Sequence, residues 1–131
     1  MSERRIDTAV LLAAVAVEIA AITVVVRLFP LVRALRMLGN PGPGRARRPE
    51  RVLAAIDRVF RLNRLVWTPS CWKRSIVLHR ALRRAGKNCR IVWGVRENGA
   101  LLDGHAWVEM DGVAVGESEA PAAYQVVLTY P

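Results

Sequence analysis

Thr68-Pro69-Ser70-Cys71-Trp72-Lys73-Arg74-Ser75 is the stretch on which the fold turns. It reads as the start of a helix. Thr68 suits the N-cap, and Pro69 suits the first helical position, where a missing N–H does no harm. Cys71 then falls in the first turn, among unpaired backbone N–H groups at the positive end of the helix dipole. That setting favours the nucleophilic thiolate. The helix is expected to run to about Ala85, with Gly86 as its stop. Cys71, Ser75, Leu78, Leu82 and Ala85 recur at helical spacing, so the thiol faces inward with the leucines and opens at the edge of the core. Lys73, Arg80 and Arg84 are expected to face outward. His79 lies about 80° round the helix from Cys71 and two turns away, too far to serve it as a base, and reads as a packed or solvent-edge histidine.

Downstream the period changes to two. Asn88 to Val95 alternates, with Cys89, Ile91, Trp93 and Val95 on one face, which predicts a strand. Glu97-Asn98-Gly99 reads as a hairpin turn. Leu101 and Leu102 lead through Asp103-Gly104 into a second strand, His105 to Met110. Asp111-Gly112 is a strong two-residue hairpin signal, and Val113 to Val115 returns as a third strand ending at Gly116-Glu117. Val126 to Leu128 suggests one more edge strand.

The whole is α+β, a helix bearing a cysteine packed on a small antiparallel sheet. The Asp111-Gly112 hairpin sets the start of one strand beside the end of the next, so His105 and Glu117 become neighbours. A thiol, an imidazole and a carboxylate then meet where helix and sheet touch. In such a set the carboxylate orients the imidazole, and the imidazole takes the thiol proton. The competing reading is a packed histidine and a solvated glutamate.

Upstream, Pro49 opens a helix over about Glu50 to Leu65, with Val52, Leu53, Ile56, Val59, Phe60 and Asn63 on one side. Gly39-Asn40-Pro41-Gly42-Pro43-Gly44 reads as a linker, and the domain boundary is placed after it, dividing 1–48 from 49–131. Arg27 to Leu38 is amphipathic and basic, kinked or restarted at Pro30. Thr8 to Val26 is almost wholly apolar. As a helix it spans about 28 Å, close to the thickness of a bilayer core. Glu18 would stand near mid-membrane, where a charge is costly. Two placements stay open: across a bilayer, or packed on protein or along the membrane surface. If it spans, the arginines that follow it place the C-terminal part in the cytoplasm.

The net charge of +9, from 20 Lys and Arg against 11 Asp and Glu, points to an anionic partner: nucleic acid, a membrane surface or an acidic peptide. No nucleic-acid motif is present, and residues 8–38 are the segment suited to a membrane. The two cysteines and two histidines make no metal-binding spacing, so neither metal nor cofactor is expected. Two cysteines are no disulfide framework, and a reducing compartment argues against a Cys71–Cys89 bridge.

Cys71-Trp72-Lys73-Arg74-Ser75, then Gly94-Val95-Arg96, then His105-Ala106-Trp107-Val108-Glu109 together resemble the transglutaminase-like cysteine protease fold. More narrowly they resemble the lasso peptide biosynthesis B2 proteins, the leader peptidases of those pathways. The match covers roughly Pro49 to Ser118. The resemblance implies Cys71 as nucleophile and His105 as general base. The third position in that family is usually Asp. Here it is Glu117, with Asp111 as the alternative, although a hairpin tip points away from the site.

The same resemblance implies a ribosomally made precursor peptide as substrate, cut between leader and core. A separate ATP-dependent cyclase would then act, and a small B1-type protein would capture the leader. The location implied is cytoplasmic. Arg51, Arg58, Arg61 and Arg64 offer a charged surface for an acidic leader or such a partner. Another acyl-transfer enzyme on this fold, a transglutaminase or an amidase, stays open beside the peptidase, as does a non-catalytic scaffold. The Cys71 backbone N–H is the natural oxyanion donor.

Overall fold

Leu11, Val15, Ile19 and Ile22 follow a helical period and are all buried, which seats the first helix against the rest of the chain. The computed structural model of the protein describes residues 3–39, 46–62, 70–117 and 121–131. The helices are α1 (Glu3–Leu28), α2 (Leu31–Leu38), α3 (Pro49–Leu62) and α4 (Cys71–Arg84). The strands are β1 (Arg90–Asn98), β2 (Leu101–Met110), β3 (Val113–Val115) and β4 (Gln125–Tyr130), with a 3-10 turn at Pro121–Ala123 before β4. They form one antiparallel sheet in the order β3-β2-β1-β4.

One core joins α1, α2, α3, α4 and one face of the sheet. Ile19, Ile22, Ile56, Leu82 and Ile91 are at most 1% exposed, and each contributes roughly 2 kcal/mol of apolar burial. Helices on both sides of the division placed between residues 48 and 49 feed this core. α1 is long and apolar enough to cross a membrane, yet one of its faces lies against α3 and α4. Pro30 separates α2 from α1 as expected. Of the linker only Gly39 lies within the described residues, and Tyr130 packs so closely on it that any side chain there would collide with the phenol.

Several boundaries differ from the sequence expectation. α4 starts at Cys71, with Ser70 as its N-cap in an extended conformation. Thr68 and Pro69 lie outside the described residues, as do Asn63, Arg64 and Leu65. The Ser70 hydroxyl makes no capping hydrogen bond, so the first turn keeps its amides unmatched by a side chain. The sheet is more continuous than predicted. Glu97 and Asn98 belong to β1, the turn is Gly99-Ala100, and Asp103-Gly104 lie inside β2. His105 therefore sits in mid-strand, paired with Gly94. Long antiparallel registry overrides the local turn preference of Asn and Asp-Gly. The tail strand does form, and pairs with β1 as a sheet edge.

The face of α4 expected to meet solvent does not. Lys73 is 8% exposed. Arg80 and Arg84 both reach Glu18 on α1, at 2.5 Å and 3.5 Å. Glu18, the mid-helix acid of α1, supplies the counter-charge to both arginines and offsets the cost of their partial burial beside apolar residues.

Candidate active site

α4 brings Cys71 to the sheet at the point where β3 ends. The Ser75 hydroxyl, one turn into the helix, donates to the carbonyl of Ala106 at 3.0 Å and is buried. This bond pins α4 to β2 one residue from His105. The first helical bond runs from the Arg74 amide to the Ser70 carbonyl, so the amides of Cys71, Trp72 and Lys73 precede the ladder. Cys71 is half-buried and its thiol is free.

β2 and β3 pair through Val108–Val115, and pairing stops there. Gly116 then turns with φ of +69°, a left-handed value that glycine alone adopts without strain. A Cβ at Gly116 would also lie 2.7 Å from a methyl of Leu53. The turn carries Glu117 alongside His105. Glu117 Oε2 lies 2.8 Å from His105 Nε2, and the carboxylate is 10% exposed. A carboxylate accepts, so Nε2 is the donor of this pair, and Nδ1 is the ring nitrogen not engaged by Glu117. Asp111 is not beside His105. It occupies the exposed hairpin tip with φ of 54°, about 20 Å from His105 along the strand. Of the two carboxylates, Glu117 is the one that lies against His105.

Cys71, His105 and Glu117 line a single cavity of about 410 Å³, together with Asp57, Arg74, Ala106 and Gly116. Arg74 binds this cavity together. It donates to the Gly116 carbonyl at 3.0 Å, lies 3.4 Å from the Asp57 carboxylate on α3, and reaches Glu117 at 3.7 Å. The sequence places Arg74 beside Cys71 but gives no reason for it. Its partners are far along the chain, and only the fold assembles them.

The imidazole is also held from the other side. His105 stacks on Trp107, with centroids 5.8 Å apart, and Tyr124 packs against it at 5.3 Å. Tyr124 donates to Asp103 at 3.2 Å, and Arg96 both pairs with Asp103 and lies over the tyrosine ring. Gly94 makes this stack feasible, since a Cβ there would fall 2.7 Å from Tyr124 and 2.9 Å from Trp107. Trp107, Val92 and Tyr124 form a second small cluster on the sheet face away from α4. Nothing in the tail's sequence pattern links Tyr124 to His105; only the fold brings them together.

The remaining cysteine and histidine are structural. Cys89 is buried and free, and its thiol donates to the His79 carbonyl at 3.8 Å. Burial pushes the Cys89 thiol pKa up. His79 is 1% exposed. Burial lowers its pKa to about 4, the charges of Arg83 and Arg80 add to that, and backbone groups of Cys89 and Pro131 oppose it. Among the described residues no cluster of metal-ligating side chains is present.

No curated protein and no solved structure matches the chain. The family model of the transglutaminase-like superfamily matches residues 11–129, a span that runs from α1 into β4 and includes Cys71, His105 and Glu117, and the chain belongs to that superfamily.

Proposed function

We propose that this protein is a cysteine peptidase that removes the leader from a ribosomally made lasso peptide precursor, ahead of macrolactam closure by a separate ATP-dependent cyclase. The observation that carries the catalytic reading is the His105–Glu117 pair, 2.8 Å apart, in the cavity that Cys71 lines. Transglutaminase-like proteins include cysteine peptidases and acyltransferases, and both need this set. His105 Nδ1 takes the Cys71 proton and the thiolate adds to the scissile carbonyl. The amide N–H of Cys71 donates to the oxyanion. Protonated His105 then gives its proton to the departing amine as the C–N bond breaks, leaving a thioester on Cys71. Water, deprotonated by His105, adds to the thioester and releases the leader as a carboxylic acid and the thiol. Glu117 stabilises the imidazolium throughout.

The substrate reading is supported by the run Cys71-Trp72-Lys73-Arg74-Ser75 with Gly94-Val95-Arg96 and His105-Ala106-Trp107-Val108-Glu109. It implies a cytoplasmic reaction and a B1-type partner that presents the leader. Arg51, Arg58 and Arg61 are exposed on α3 and supply a basic surface for it; Arg51 also lies 3.9 Å from Asp7. The test is a mass-spectrometric time course of precursor with this protein, with and without the leader-binding partner, at low and high salt. Cleavage at one leader–core bond, accelerated by the partner and abolished by Cys71→Ala, is expected. Amine incorporation without cleavage assigns the chain to transglutaminases. Loss of neither product in Cys71→Ala overturns the catalytic reading.

A further inference from the structure

α1 has two unlike long faces. Leu11, Val15, Ile19 and Ile22 enter the core. Ile6, Val10, Ala13, Ala14, Val17, Ala21, Val24 and Leu28 form the opposite stripe, and all are exposed. Val17 and Leu28 are 69% and 70% exposed. These positions fall within an arc of roughly 100° and run for about 35 Å along the helix. Val32, on α2, continues the apolar surface at 62% exposure. An apolar strip of this length is far more than a water-facing helix carries by chance.

The charges are arranged around this stripe rather than on it. Glu18 is turned aside and tied to Arg80 and Arg84. Arg4 and Arg5 stand exposed at one end, and Arg27, Arg33 and Arg36 at the other. Beside the stripe lies a cavity of about 670 Å³, larger than the one at Cys71 and lined by Val10, Ala14, Val17 and Arg47 among others. Arg47 Nη1 is buried with no hydrogen-bond partner among the described residues. Most of the cavity's lining is apolar, Glu18 in its wall is already paired with Arg80 and Arg84, and the unmatched guanidinium nitrogen of Arg47 suits an amphiphile with an anionic head.

We infer that α1 lies in the plane of an anionic membrane, with its outer stripe among the acyl chains and its flanking arginines on the phosphates. A helix whose other face is sealed into a domain core does not cross a bilayer, since spanning would draw Glu18, Arg80 and that core into hydrocarbon. The net charge of +9 supplies the electrostatic half of the attraction, at about 1 kcal/mol for each arginine near the surface, which is about fivefold in affinity. The Cys71 cavity takes no lining residue from α1, so membrane seating leaves it free to work.

The test is co-sedimentation of the full chain with vesicles of phosphatidylcholine alone and of equal parts phosphatidylcholine and phosphatidylglycerol. Binding is expected to be at least about tenfold tighter to the anionic vesicles, to weaken with salt, and to be released by alkaline carbonate. Val17→Glu should reduce it at least about tenfold while circular dichroism stays unchanged. A photoactivatable phosphatidylglycerol should label wild-type peptides from residues 6–28, which keeps the test valid if the variant does not fold. Carbonate-resistant binding would show a spanning helix and overturn the inference. So would equal binding to both vesicles, no binding, labelling confined to other segments, or a lipid-free dimer that Val17→Glu dissolves.

Discussion

The guanidinium of Arg74 donates to the carbonyl of Gly116, 3.0 Å away, and so fixes the turn from which Glu117 reaches His105. Its other contacts are to carboxylates, Asp57 at 3.4 Å and Glu117 at 3.7 Å. These contacts put Arg74 where it can position Glu117. Arg74→Ala is expected to slow precursor cleavage by about 10²-fold, the scale on which a displaced catalytic group costs rate. The loss should appear in kcat and leave KM nearly unchanged. An equal rise in KM with kcat intact would make Arg74 a substrate contact instead.

Glu117→Gln preserves size and removes the charge that stabilises the imidazolium. Cleavage should fall by about 10²-fold or more. Asp111→Asn keeps a residue that tolerates the hairpin's φ of 54°, and rates should stay within about twofold of wild type. Single-turnover kinetics of the two variants checks the order. A larger loss for Asp111→Asn would be incompatible with the 2.8 Å His105–Glu117 bond as the operative one.

The two cysteines should separate chemically. Cys71 is half-buried at the cavity, while Cys89 is 5% exposed and its thiol pKa is raised by burial. Iodoacetamide should alkylate Cys71 first in the folded protein, and labelling should parallel loss of activity. Cys89→Ala should cost about 1 kcal/mol of stability and keep activity. Peptide mapping by mass spectrometry reads both outcomes, and preferential labelling of Cys89 in native protein would contradict the assignment.

Much of this was legible because local chemistry and global fold agree. Ser75, Leu78 and Leu82 announce the inner stripe of α4, and Asp111-Gly112 announces the hairpin that sets Glu117 beside His105. The errors fall where a distant partner decides. Arg80 and Arg84 read as solvated because charge defaults to the surface, and the packing of α1 with Glu18 reverses that, while Lys73 is buried with its ammonium over the Trp72 ring. Asp103-Gly104 and Asn98 read as turn residues, but Arg96 pairs with Asp103 across the strands and holds them in register. Tyr124 and the partners of Arg74 join the site through contacts that no spacing encodes.

His79 gives a pH prediction with a definite sign. It is a base whose folded pKa is about 4, lowered by burial and by Arg83 and Arg80, against 6.5 for the free side chain. Below pH 6.5 the unfolded chain takes up a proton that the folded chain refuses, so stability falls with pH. The loss begins near pH 6.5, grows until the folded histidine also protonates near pH 4, and is constant below that. At 1.36 kcal/mol per unit it amounts to about 3 kcal/mol. His79→Leu keeps a buried body of similar size beside the Tyr130 ring and removes the titration. The variant's stability relative to wild type should therefore improve by about 3 kcal/mol between pH 7.5 and pH 4, whatever its offset at neutral pH. Urea unfolding of both proteins across that range measures the difference directly and cancels the carboxylates they share. Parallel stability curves for the two proteins would mean that His79 protonates in the folded state as readily as in the unfolded one.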